Sequence, residues 1–212
     1  FVPSHHSRGV VIFCHGNAGN IGDRLDTLGI LNGLGFSTLI FDYPGYGNSP
    51  GSPSEQGTYD AARAAWRFVV EERGVLPERV VVFGRSLGGP VAAWLAHTVK
   101  PAALVLESTF ISTAEMGQDV YPYLPVRLLC RLKYPTRDYL DSVTCPVLVV
   151  HSEDDEVVGF RHGTALYEAA PEPKEFCRIV GAHNEGFLVS ERLYEDGLAR
   201  FFDRHLGGLT KD

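Results

Sequence analysis

Positive charge is scarce in this chain: 19 lysines and arginines face 26 aspartates and glutamates across 212 residues, a net charge of −7. That balance repels phosphate backbones and argues against nucleic acid as a partner. Long apolar runs are missing as well. None reaches the length of a membrane span, and no secretory leader is visible at the amino end. The chain opens on Phe1-Val2-Pro3 without an initiator methionine, so the default expectation of a cytoplasmic protein stands beside the alternative of a signal or anchor upstream of Phe1. Cysteines are few, Cys14, Cys130, Cys145 and Cys177, and they show no C-x-x-C or Cys/His ligand spacing, which argues against zinc. Cys14 and Cys177 sit inside apolar runs, as small buried hydrophobes do, whereas a Cys130–Cys145 disulfide is left open. No metal and no cofactor is expected. With no composition break, internal repeat or low-complexity tract, residues 1–212 read as one domain with a substantial core.

What is present is an alternation. Short, continuous, β-branched runs at residues 10–14, 37–41, 79–83, 102–106, 146–150 and 176–180 are bounded by turn residues, the pattern of strands covered on both faces. Between two of them Tyr59, Ala62, Trp66, Val69 and Val70 recur at helical spacing, in a segment introduced by Ser54 and ended by Gly74. Strand and helix patterns in turn imply an α/β fold, a mostly parallel, doubly wound sheet with helices on both faces. One segment breaks the rhythm. Residues 109–142 contain no clear strand, and Val120-Tyr121-Pro122-Tyr123-Leu124-Pro125-Val126-Arg127-Leu128-Leu129 is apolar, aromatic and interrupted by prolines. A long excursion from the carboxyl end of a strand is where a helical lid or pocket wall sits, so Tyr121, Tyr123, Leu124 and Leu128 are expected to bind substrate.

Gly84-Arg85-Ser86-Leu87-Gly88 carries the chemistry. It joins the β-type run Arg79-Val80-Val81-Val82-Phe83 to the helix-type run Pro90-Val91-Ala92-Ala93-Trp94-Leu95-Ala96. In that strand, turn and helix context a G-x-S-x-G serine is presented as a nucleophile. Gly47-Asn48-Ser49-Pro50-Gly51 matches the same string, but the residue after the serine must give its N–H to an oxyanion and Pro50 has none.

A serine hydroxyl attacks only when a base takes its proton, and the base needs a carboxylate to fix its tautomer. The base candidate is His183, in a loop directly after the last apolar run. Acid candidates are Glu153, Asp154, Asp155 and Glu156 after the run 146–150, with Glu107 as a rival at the end of another run. Composition does not choose among them. For the oxyanion, Leu87 supplies one backbone N–H. The second is assigned to Asn17 in His15-Gly16-Asn17-Ala18-Gly19-Asn20, a loop that lacks the features of a phosphate-binding motif.

Taken together, His15-Gly16-Asn17-Ala18-Gly19-Asn20, Asp42-Tyr43-Pro44-Gly45-Tyr46-Gly47, Pro53-Ser54-Glu55, Gly84-Arg85-Ser86-Leu87-Gly88-Gly89, Glu107-Ser108-Thr109-Phe110 and Gly181-Ala182-His183-Asn184 resemble the α/β-hydrolase superfamily, and within it the Bem46-like serine hydrolases. The resemblance runs from about Val10 to the final helix. It implies an eight-stranded sheet, of which six strands are visible here; the other two would precede Val10. By the family's D-x-V-V pattern it assigns the acid to Asp155, although Gly159 stands where a proline is usual and Pro44 where an arginine is usual. It further implies a cofactor-independent serine hydrolase that cleaves small carboxylic esters or thioesters through Ser86, His183 and Asp155 and an acyl-enzyme. Peptidase or acyltransferase activity on the same triad, or a non-catalytic binding or signalling module on the same scaffold, are the alternatives.

Overall fold

The computed structural model describes residues 1–207, apart from the side chain of Arg127. Six strands, β1 (Gly9–Cys14), β2 (Phe36–Ile40), β3 (Val80–Arg85), β4 (Ala103–Glu107), β5 (Val147–Ser152) and β6 (Lys174–Ile179), form one sheet in the order β2-β1-β3-β4-β5-β6, every neighbouring pair parallel. Among the described residues nine α-helices accompany them: α1 (Leu25–Gly33), α2 (Glu55–Arg67), α3 (Gly88–Thr98), α4 (Thr113–Val120), α5 (Val126–Leu129), α6 (Thr136–Leu140), α7 (Arg161–Ala169), α8 (Gly186–Val189) and α9 (Glu191–Leu206).

The four central strands β1, β3, β4 and β5 are buried along their whole length because both faces are covered, whereas the edge strand β6 carries Lys174, Glu175 and the exposed Arg178. Val10, Ile12, Val80, Val82, Leu104, Leu106, Val147 and Val149 pack on one face with residues of α2, α3 and α7, whereas Val11, Phe13, Val81, Phe83, Val105, Leu148 and Val150 pack on the other with residues of α1 and α9. This alternation within each strand is the pleat made visible. The helical pattern read around Tyr59 and Trp66 is α2, and Ser54 caps it by accepting from the Gly57 N–H at 3.0 Å. Val69 and Val70 lie in a π-helical turn, residues 68–72, that continues it.

Four strand ends build the functional edge of the sheet. In a parallel sheet all carboxyl ends lie along one edge, so residues just after β1, β3, β5 and β6 converge although they are far apart in sequence. The segment between β4 and β5 holds α4, α5 and α6. It is fastened near both ends: Asp119 accepts from Arg161 Nε at 2.8 Å and stands 2.9 Å from His162 Nε2, while Glu55 accepts from the backbone N–H groups of Lys133 and Tyr134 at 2.7 and 3.0 Å. Cys130 and Cys145 are free thiols, so the disulfide left open by the sequence is not formed.

Candidate active site

Ser86 stands on the turn between β3 and α3, with a positive φ of 51°. A non-glycine residue in that region is strained, and the surroundings hold it there. Its N–H donates to the Glu107 carbonyl at 2.9 Å, and its own carbonyl accepts from Thr109 Oγ1 at 2.6 Å and from the Gly89 N–H at 2.9 Å. The flanking glycines permit the close approach: a Cβ on Gly84 would meet Ala92 and the Gly88 carbonyl, and one on Gly88 would meet the carbonyls of Cys14 and His15. The helix is thereby seated directly on β1 and β3 with its amino end beside the serine.

His183 follows β6. Its Nε2 lies 3.0 Å from Ser86 Oγ, and its Nδ1 lies 2.8 and 3.0 Å from the two carboxylate oxygens of Asp155. Asp155 is buried, and its Oδ1 accepts from the N–H groups of Val157 at 3.0 Å and Val158 at 2.7 Å. Burial by itself would push this carboxyl up. The hydrogen bond from His183, that from the Val158 N–H and the nearby charges of His183 and His151 outweigh it and hold the group below its ordinary value.

The other acids occupy different places. Asp154 accepts from the Gly181 N–H at 3.1 Å, and Glu156 accepts from the His183 backbone N–H at 2.9 Å, so both brace the histidine loop. Glu153 pairs with Arg178 at the surface, 2.8 Å away. Glu107 is buried against Arg85 Nε at 2.7 Å and the Tyr194 hydroxyl at 2.7 Å, and the Arg85 guanidinium lies 3.9 Å over the Phe187 ring. Ser49, on the second G-x-S-x-G string, donates its hydroxyl proton to the Asp42 carbonyl.

A cavity of about 430 Å³ opens beside Ser86 and His183. Asn17 and Leu87 both line it, and among the described residues neither backbone N–H has an acceptor. The Asn17 side chain accepts from the Tyr46 hydroxyl at 2.6 Å, and the loop that carries Asn17 rests on His15, a buried ring 4.6 Å from Tyr43 whose Nδ1–H donates to the Gly16 carbonyl at 2.8 Å. Burial pushes the His15 imidazole down, keeping it neutral.

The structure does not bring Tyr121, Tyr123, Leu124 and Leu128 into this cavity. All four are exposed, Tyr123 at 97% and Leu128 at 86%. The apolar wall comes instead from Phe110, Met116, Leu132, Tyr134 and Val157. The reason is local: prolines at 122 and 125 break the stretch into turns and the four-residue α5, leaving residues nearer its two fastened ends to face inward. His151 is a further member of the site that the sequence pattern does not single out. It is fully buried, donates from Nε2 to the Val158 carbonyl at 2.8 Å and stands 3.5 Å from Asp155 Oδ2, beneath the loop that carries Asp155. Its position four residues before Asp155, at the end of an apolar run, is the one signal the sequence holds for it. No cluster of three metal-ligating side chains exists among the described residues.

A family model described as alpha/beta hydrolase fold matches residues 9–128. An uncharacterized protein of Mycobacterium tuberculosis is 44% identical over 192 residues, covering 90% of this chain and 68% of its own length. Alpha/beta hydrolase domain-containing protein 17C of Xenopus tropicalis is 34% identical over 202 residues, covering 94% of this chain and 63% of its own length. Among solved structures, the esterase domain of a Rhodothermus marinus protein superposes with a TM-score of 0.71 at 22% identity, covering 98% of this chain and 92% of that one.

Proposed function

Because this chain belongs to the α/β-hydrolase family, we propose that it is a hydrolase, and specifically a serine hydrolase of carboxylic esters or thioesters. The observation that carries the reading is the continuous relay Ser86–His183–Asp155, with contacts of 3.0 and 2.8 Å, at the edge of a partly apolar cavity. Kinship with a protein named as an alpha/beta hydrolase and a fold shared with an esterase domain agree with it.

In this mechanism Ser86 Oγ attacks the substrate carbonyl carbon while its proton passes to His183 Nε2. The negative charge moves to the carbonyl oxygen, which accepts from the N–H groups of Asn17 and Leu87; one such donor is worth on the order of 10²–10³ in rate. Asp155 accepts the Nδ1–H, which fixes the tautomer and stabilises the imidazolium. As the tetrahedral intermediate collapses, the bond to the alcohol or thiol breaks and His183 returns the proton to that leaving group. An acyl-Ser86 ester remains. Water, deprotonated by His183, then attacks the acyl carbon; the bond to Ser86 Oγ breaks, His183 returns the proton to that oxygen, and the carboxylic acid leaves. No cofactor takes part in these steps. Phe110, Met116, Leu132 and Tyr134 would receive the acyl chain, where each buried methylene contributes about 0.8 kcal/mol.

The test is a panel of p-nitrophenyl esters and acyl-thioesters of graded chain length. Turnover of at least one, rising with chain length until the cavity is full, is the expected result. A folded chain inert toward the whole panel would remove the esterase reading.

A further inference from the structure

Seven of the sixteen exposed large apolar side chains among the described residues fall within residues 120–132. Tyr121, Tyr123, Leu124, Leu128 and Leu129 are at least half exposed there, with Val120 before them and Leu132 after. A cluster of that kind on one short segment marks an interaction surface rather than ordinary solvent-facing scatter. The segment is tethered on either side. Asp119 holds its beginning through Arg161 and His162, and Glu55 holds its end through the backbone of Lys133 and Tyr134.

Charge decides what would cover it. From Val120 to Arg137 the sequence has four basic residues, Arg127, Arg131, Lys133 and Arg137, and no carboxylate, in a chain whose net charge is −7. Arg131, Lys133 and Arg137 are exposed. The other sizeable apolar groove, lined by Leu25, Ile30, Leu34 and Leu188, is rimmed by Asp26, Glu191 and Glu195 and carries the opposite sign. Leucines that enter an acyl region, tyrosines that settle where apolar and wet layers meet, and flanking basic side chains are together the composition of an interfacial segment on an anionic bilayer.

We propose that the segment 120–137 docks this protein peripherally on an anionic lipid surface, with the tyrosines and leucines at the boundary of headgroups and acyl chains and Arg131, Lys133 and Arg137 against the headgroups. No helix among the described residues is long and apolar enough to cross a membrane. Thr113, Met116 and Leu132, which line the cavity beside Ser86, belong to or flank the same insert. Docking therefore brings the cavity to the lipid surface, where acyl chains are concentrated.

Sedimentation of the chain with vesicles tests this without any turnover. Phosphatidylcholine vesicles with about one-third phosphatidylserine should bind it roughly tenfold more tightly than pure phosphatidylcholine, and raising the salt should reduce the difference. The triple variant Tyr123→Ser, Leu128→Ser, Leu129→Ser should lower binding to the mixed vesicles by roughly tenfold or more. The pair Arg131→Glu, Lys133→Glu should abolish the preference for anionic lipid. Both variants change exposed side chains outside the cavity, so unaltered circular dichroism and unaltered cleavage of a short, soluble ester are expected. Absence of binding to either vesicle, equal binding by wild type and the triple variant, or indifference to phosphatidylserine would overturn the proposal. If the wild-type chain binds vesicles but hydrolyses no ester, the hydrolase reading fails and the docking surface stands.

Discussion

Asp155 and Glu107 both follow or end a strand at the same edge of the sheet, yet their partners differ in kind. Asp155 contacts the imidazole that contacts Ser86; Glu107 contacts a buried arginine and a tyrosine. Asp155→Asn should therefore cost on the order of 10⁴ in kcat, since the amide offers the wrong partner to the Nδ1–H. Glu107→Gln should instead destabilise the fold by about 3–5 kcal/mol, because Arg85 is left buried without its counter-charge. The folded fraction should keep kcat within about tenfold. Kinetics and urea denaturation on both variants separate the two roles, and loss of catalysis in Glu107→Gln with retained stability would reverse the assignment. The same Asp155 carboxylate makes stability depend on pH. It lies below its ordinary value of 3.8, with burial opposing and the His183 and Val158 hydrogen bonds prevailing. A carboxyl lowered in the folded state stabilises the fold above the unfolded value, and that contribution disappears as pH falls through the lowered folded value. Wild type should thus lose stability more steeply than Asp155→Asn below about pH 4, a value set by the unfolded carboxyl. Equal slopes for the two in denaturation midpoints measured from pH 7 to 3 would contradict this. At this scale the place of Ser86 on a strand-to-helix turn was legible because its neighbours announce a strand and a helix. The acid was not legible from composition, since four adjacent carboxylates look alike until the backbone turns each toward its own donor.

At the scale of elements, the seating of α3 on β1 and β3 is what holds Ser86, half-buried, at the wall of the cavity. Gly88→Ala would drive a methyl group into the carbonyls of Cys14 and His15, neither of which is a flexible side chain. A loss of about 1–3 kcal/mol or more is expected from the overpacking, accompanied by reduced turnover as the Leu87 N–H shifts. Wild-type stability and activity in that variant would show that the helix is not so tightly placed. The insert behaves differently. Its apolar composition was plain, but a linear run does not say which side faces the scaffold, and the middle of the run turned out exposed and away from the cavity, whereas Met116 and the partly exposed Leu132 line it. Met116→Ala and Leu132→Ala should shift acyl-chain preference more than they slow acetate hydrolysis, whereas Leu124→Ala should leave the preference unchanged. Rates on p-nitrophenyl acetate and octanoate for the three variants check it. The six strands, by contrast, were legible almost to their ends, because burial on both faces fills the central runs with apolar residues and even the edge strand β6 keeps Phe176, Cys177 and Ile179.

For the whole molecule, the parallel sheet is what assembles the site. Residues 86, 155 and 183 meet only because β3, β5 and β6 end at one edge, and the sheet order keeps those ends adjacent to the loop after β1. The central claim is that this convergence makes Ser86 a nucleophile. The most direct measurement is reaction of the intact chain with a fluorophosphonate, with mass spectrometry to locate the adduct. Ser86 should be modified in a one-to-one stoichiometry, the rate should fall by roughly 10⁴ in His183→Ala, and Ser86→Ala should carry no adduct at any residue. A folded wild-type chain that stays unlabelled, or an adduct that persists in Ser86→Ala, would contradict the claim.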